Sequence, residues 1–85
     1  MYFQGYWENG VPNYFGRCLY SDGSVYEGGL YKATKDGVGR LYKADGEILE
    51  GRWKFNSLNG YGTLRAQSGI LVYEGEFVNN KKVGM

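Results

Sequence analysis

The chain has 85 residues, one cysteine, no histidine and a formal net charge of +1. That length supports one small domain. The near-neutral charge excludes a basic surface on the scale that dominates nucleic-acid binding, and a lone cysteine excludes an internal disulfide framework. No apolar run approaches a membrane-spanning helix, and no charged-then-apolar leader opens the sequence, so the expectation is a soluble, cytoplasmic chain.

Aromatic and β-branched residues alternate with polar ones, broken by Asp-Gly or Asn-Gly, and no segment carries a 3.6-residue period. Taken in order, this predicts seven short strands, near 2–8, 14–20, 25–31, 37–43, 48–54, 60–66 and 71–78. Two kinds of connection alternate between them. Ser21-Asp22-Gly23 and Ala44-Asp45-Gly46 read as three-residue loops ending on a left-handed glycine, since only an odd loop keeps the flanking glycines on one face. The third such loop, Gln67-Ser68-Gly69-Ile70, carries one extra residue. The other connections, Glu8 to Asn13, Tyr31 to Asp36 and Lys54 to Asn59, read as loops of about six residues, at the upper end of common loop lengths.

Beneath the strands lies an internal repeat, which has to be tested for before any fold is assigned. Tyr26-Glu27-Gly28-Gly29-Leu30-Tyr31 shares a skeleton of aromatic or bulky residue, Gly and bulky residue with Phe3-Gln4-Gly5-Tyr6-Trp7, Leu49-Glu50-Gly51-Arg52-Trp53 and Tyr73-Glu74-Gly75-Glu76-Phe77. Gly5, Gly28 and Gly51 are 23 residues apart, and Gly75 follows after 24. Gly16, Gly39 and Gly62 come 11 residues after the first three, and the turn glycines Gly23, Gly46 and Gly69 seven later. With these spacings an antiparallel pairing can be written: Gly5, Gly16, Gly28, Gly39, Gly51, Gly62 and Gly75 form one row of structural glycines across the sheet. The same register lines up Gln4, Arg17, Glu27, Arg40, Glu50, Thr63 and Glu74 on the opposite face, where acidic and basic neighbours alternate.

A strand-interior glycine costs roughly 0.5–1 kcal/mol relative to alanine, so something must lie on that row. Phe3, Cys18, Tyr26, Leu41, Leu49, Leu64 and Tyr73 flank it on one side, and Trp7, Tyr14, Leu30, Trp53 and Phe77 on the other. One reading is that these side chains cover the glycines and form the core, since aromatic cover of strand glycines is a stabilising device. The other is that, with no helix to shield the apolar face, a trough with a glycine floor and aromatic walls stays partly open. Phe3, Trp7, Tyr14, Tyr26, Leu30, Leu49, Trp53, Tyr73 and Phe77 are then the residues that would receive a partner's helix or extended segment.

Chemistry is conspicuously missing. Without histidine, neither a Ser-His-Asp nor a Cys-His arrangement can be assembled. Cys18 falls at the position of Leu41 and Leu64 and reads as an apolar packing residue. Asp22, Asp36 and Asp45 are turn formers, not a calcium loop, and Gly37-x-Gly39 and Gly60-x-Gly62 lack the helix that follows a phosphate-binding loop. No catalytic residue, cofactor, metal or nucleic-acid partner is expected. Lys32, Lys35, Lys54, Lys81 and Lys82 are the residues available to touch acidic lipid, or else a solvated set of loops and tail.

The series Tyr-Glu-Gly-x-Leu/Phe/Trp, Gly-x-Gly-x-Leu, Asp-Gly at 23 residues resembles the membrane occupation and recognition nexus (MORN) repeat. Tyr26 to Gly46 and Leu49 to Gly69 match best, and the resemblance covers residues 1–85 as one domain with repeats near 3–25, 26–48, 49–72 and a partial 73–85. The chain departs from the pattern where Ala33-Thr34 stands in a longer connection whose usual Asn-Gly survives only at Asn9-Gly10, and where Tyr14 replaces the first Gly of Gly-x-Gly. The resemblance implies an all-β fold, a single twisted antiparallel sheet of consecutive hairpins with an open groove. It further implies a scaffold that holds a partner helix or peptide and often self-associates, in a cytoskeleton- or membrane-associated setting; the missing catalytic residues make it non-enzymatic, and the unpaired strands at both ends predict that the association is end to end. Alternatives are a phospholipid-binding module and a structural subunit or fragment of a larger cytoskeletal or ciliary assembly.

Overall fold

A computed structural model describes residues 2–83. Eight strands follow one another: β1 (Tyr2–Glu8), β2 (Val11–Leu19), β3 (Val25–Tyr31), β4 (Thr34–Tyr42), β5 (Ile48–Lys54), β6 (Ser57–Arg65), β7 (Leu71–Val78) and β8 (Lys81–Lys82). They form one antiparallel sheet in sequence order, open at both ends. The described residues contain no helix. Along its thinnest axis the molecule measures 16 Å, too little for a second sheet, which would sit about 10 Å away and need side-chain layers outside it.

The predicted register is the observed one. Gly5 faces Gly16, Gly16 faces Gly28, and the row runs on through Gly39, Gly51, Gly62 and Gly75. Gln4, Arg17, Glu27, Arg40, Glu50, Thr63 and Glu74 are likewise cross-strand partners in sequence. Within that polar row Arg17 pairs with Glu27 at 3.2 Å and Arg40 with Glu50 at 3.1 Å. Both pairs are about half exposed, so they fix register more than they add stability.

The tight turns at 21–23 and 44–46 close as expected. Tyr20 N–H donates to the Ser24 carbonyl and Lys43 N–H to that of Glu47, with Gly23 and Gly46 left-handed. Asp22 and Asp45 each accept from the backbone N–H two residues on, the Asx pattern that makes aspartate a turn former. Ala66 N–H donates to the Ile70 carbonyl in the same way, so the third turn has the same size. Its extra residue appears in β7, where Leu64 faces Tyr73 and Arg65 faces Leu71, leaving Val72 as a bulge.

The six-residue connections are different. They are two-residue turns, Asn9-Gly10, Lys32-Ala33 and Phe55-Asn56, joined by a fourth, Asn79-Asn80, with every residue at positive φ, as in a I′ hairpin. β2, β4 and β6 therefore start three residues earlier than predicted, and β8 is an additional strand. The reason is tertiary. Each turn after the first is stitched to the even-numbered strand before it: Ala33 N–H donates to the Pro12 carbonyl, Asn56 N–H to Lys35 and Asn80 N–H to Leu58. The Asn56 and Asn80 side chains return the bond, accepting from Lys35 N–H and Leu58 N–H at 2.7 Å. Where Pro12 has no N–H to give, Ala33 has no acceptor to offer.

The residues gained by these strands are absorbed as bulges. Gly5 faces Gly16 but Trp7 faces Pro12, and the same two-against-four count recurs between β3 and β4 and between β5 and β6. Such bulges bend the longer strand. At the bend the chain is left-handed, with φ 69° at Tyr14, 90° at Gly37 and 91° at Gly60. Tyr14 thus holds a conformation that disfavours a side chain, and it is tied down by a hydroxyl bond to Glu8 at 3.3 Å and by the Tyr6 ring.

Two alanine substitutions separate the two demands on glycine. A Cβ at Gly60 meets nothing within 4 Å, so Gly60→Ala should cost only the left-handed strain of about 1–2 kcal/mol. A Cβ at Gly39 enters the Tyr26 ring, and Gly39→Ala is expected to cost distinctly more in urea unfolding; equal losses would contradict this packing.

Candidate functional site

Above the glycine row the missing side chains are replaced by rings. Phe3 lies over Gly16 and reaches Gly5, Tyr26 lies over Gly39 and Gly28, Tyr73 over Gly75, Leu58 over Gly51 and Phe77 beside Gly62. Tyr26 is wholly buried, and its hydroxyl donates to the Gly29 carbonyl at 2.8 Å. Trp53 reaches across the sheet to donate Nε1–H to the Gly39 carbonyl at 2.9 Å, and its ring meets Tyr26 edge-on at 5.6 Å. Tyr73 meets Phe77 in the same manner at 5.3 Å.

Of the nine groove residues expected from sequence, Phe3, Tyr26, Leu30, Leu49, Trp53 and Phe77 are buried and Tyr73 is half-buried. The rings occupy the space above the row themselves, so the middle of the sheet carries a packed core where an open trough was one expectation. Leu58 belongs to that core, fully buried, yet its place in a predicted loop hid it. The alternation Leu58-x-Gly60-x-Gly62-x-Leu64 is the signal that reveals it.

Trp7 and Tyr14 behave otherwise. At repeat intervals Trp7 corresponds to Leu30, Trp53 and Phe77, which all lie against the hairpin before them. Trp53 is 2 % exposed and Trp7 is 52 % exposed, because no strand lies outside β1 among the described residues. Tyr2, Tyr6, Tyr14 and Phe15 are exposed beside it, with Tyr6 and Tyr14 in ring contact at 5.1 Å. Phe15 opens a further series that sequence reasoning missed, Phe15, Val38 and Tyr61, all exposed on the polar face and recognisable by their 23-residue spacing.

The lysines named for lipid contact are dispersed in role. Lys35 folds back, its Nζ 4.6 Å from the Tyr20 ring centre, 5.7 Å from Tyr26 and 5.8 Å from Trp53. Burial pushes its pKa down, partly countered by Cys18 and Asp22. The same burial pushes the Tyr20, Tyr26 and Cys18 pKa values up. Lys54 pairs with Asp36 at 3.6 Å, Lys32 lies over Tyr31, and Lys81 and Lys82 form β8. Among the described residues no three His, Cys, Asp or Glu side chains gather to hold a metal ion, and no helix is long and apolar enough to cross a membrane.

A sheet of consecutive hairpins, each contributing one glycine pair and one ring seat per 23 residues, is what a family comparison can recognise. The sequence model of the MORN repeat matches four stretches: residues 3–25, 26–48, 50–70 and 73–85. The chain belongs to the MORN repeat family. MORN repeats are modules usually found in protein or membrane interactions, and here the packed rings show how the module holds itself together before any partner arrives.

Two measurements test this placement. Trp53→Ala should destabilise the MORN domain by about 3–5 kcal/mol as a core truncation, and Trp7→Ala by less than about 1 kcal/mol as a surface change; similar losses would contradict their different burial. The pH dependence follows from the aromatic core. Lys35 titrates lower in the folded chain than its ordinary value near 10.4, so stability should rise as the pH climbs toward about 10. Tyr20 and Tyr26 keep protons that the unfolded chain releases above about pH 10, so stability should then fall. Urea midpoints across this range check both limbs, with Lys35→Met removing the rise and Tyr26→Phe weakening the fall.

Proposed function

We propose that this MORN domain is a non-catalytic scaffold that takes an extended segment of a partner, or the corresponding strand of a second copy, along the outer edge of β1. The observation that supports this reading is the exposure of Trp7. Wherever the repeat places a hairpin in front of that position, the side chain is buried; at β1 the seat is built and bare. The edge also presents unpaired backbone groups, a template for strand addition, flanked by Tyr2 and Tyr6 to grip an incoming chain. A small residue opposite Gly5 lets such a strand continue the glycine row.

The absence of histidine and the burial of Cys18 support the non-catalytic part of the reading. A helix lying in the groove is the less favoured geometry, because Tyr26 and Trp53 already fill the centre. A membrane-surface role gains little from Lys35 and Lys54, whose ammonium groups are engaged within the domain.

Sedimentation over a wide concentration range, with tryptophan fluorescence recorded in parallel, tests the proposal. Self-association should blue-shift the emission of Trp7, and Trp7→Ala should weaken association about tenfold while leaving the fold intact. A concentration-independent monomer that also fails to bind a synthetic peptide carrying residues 34–42, the strand that the repeat places in front of Trp53, would overturn the edge-pairing reading.

A further inference from the structure

A cavity of about 390 Å³ lies where the second, third and partial fourth repeats meet, at the far end of the sheet from Trp7. Its floor is Leu49, Leu64 and Phe77, and its rim carries Lys43, Lys81 and Lys82 with Glu47. The cavity has a physical origin in the repeat. One unit earlier the same positions are Tyr20, Ser24, Tyr26, Leu41, Trp53, Ser57 and Leu58. There Tyr26 and Trp53 are in ring contact, and Lys35 closes the space over Tyr20. One repeat interval on, Leu49 stands in place of Tyr26 and Phe77 in place of Trp53, while Leu58, which takes the place of Lys35, lies down on Gly51. Less side-chain volume is available, and the space stays open.

The rim changes at the same time. Tyr20, Ser57 and Leu58 become Lys43, Lys81 and Lys82. The earlier unit makes the same turns and pairings without these charges, so the fold does not require them. Lys43 is held by Glu47 at 3.3 Å and lies 3.8 Å from Asp45. Among the described residues no carboxylate lies within ion-pair distance of Lys81 or Lys82. Three ammonium groups around an apolar floor, with two carboxylates beside Lys43 and none beside Lys81 or Lys82 among the described residues, make a site whose unmet need is a negative charge carried on an apolar body.

We propose that this cavity binds a small apolar anion, an aryl or short alkyl phosphate ester or carboxylate, with its hydrocarbon part on Leu49, Leu64 and Phe77 and its charge between Lys43 and the Lys81–Lys82 pair. The volume lies in the lower part of the range of small-molecule pockets, roughly 300–1,000 Å³, with an apolar floor of three residues and a rim of five polar or charged ones, Asn80 included. Lysines serve here as mobile point charges, which suits an anion of no fixed orientation. This site is separate from the β1 edge, and neither proposal depends on the other.

Titration with naphthyl phosphate, followed by amide NMR shifts, tests the site, with inorganic phosphate as the charge-only control. Saturable shifts at Leu49, Leu64 and Phe77, with binding at least tenfold tighter than inorganic phosphate, are the expected result. Lys81→Ala combined with Lys82→Ala should weaken binding about tenfold. Leu49→Tyr, which installs the ring that the preceding repeat carries, should abolish it; Leu64→Phe gives the same reading if the first variant does not fold. Binding no tighter than inorganic phosphate, binding unchanged in the folded filled-cavity variant, or binding to anionic vesicles without binding of free naphthyl phosphate would each overturn the proposal.

Discussion

A ring can lie flat on a β-sheet only where the sheet has no side chains, and that contact governs this molecule. A Cβ on Gly16 would stand inside the Phe3 ring, and one on Gly39 inside the Tyr26 ring. Because the pairs face each other directly, removing side chains from one row clears a continuous strip of backbone. The strip lets single-layer architecture bury a tyrosine completely, which an ordinary one-layer sheet does not do. The alternation of strand side chains carries the consequence to the other face, where the same register sets Arg17 beside Glu27 and Arg40 beside Glu50.

The register was legible in the sequence because parity is unforgiving: a slip of one residue would have put Gly28 opposite a side chain and scattered the charged row. The Asp-Gly turns were legible for their chemistry. The two-residue turns were not, since Lys32-Ala33 carries no local left-handed signal, Phe55-Asn56 carries one only at its second residue, and both are held by bonds to the preceding hairpin. That error hid Leu58 and the extra strand; the Val72 bulge was missed separately, because the extra residue reads from sequence as part of the turn at 67–70. Lys35 reads from sequence as a surface charge; only the convergence of Tyr20, Tyr26 and Trp53 turns it into part of the core boundary. Cover of the glycine row by its flanking side chains was one of two readings open from sequence; what decides between them, the reach of Trp53 to the Gly39 carbonyl, depends on a rotamer and a bend.

The two ends of the sheet consequently differ in chemistry as well as in position. The β1 end shows tyrosine, tryptophan and phenylalanine beside an open strand edge. The opposite end shows a cavity ringed by lysine. Repetition of one unit makes the middle self-sufficient, and departures from the repeat at the ends supply whatever distinguishes this MORN domain from a generic one.

The stitching between units has a direction. Every two-residue turn after the first donates to the hairpin before it, as Ala33 does to Pro12 and Asn80 to Leu58, and the Asn56 and Asn80 side chains accept a second bond from the same hairpin. In a linear array held by nearest-neighbour contacts, this makes the stack polar, like tiles lapped one way on a roof. Peeling the last hairpin leaves the Leu58 carbonyl without its donor, and removing the first leaves the Ala33 N–H without its acceptor. The two ends of the array are therefore chemically distinct where that bond breaks, one exposing an acceptor and the other a donor.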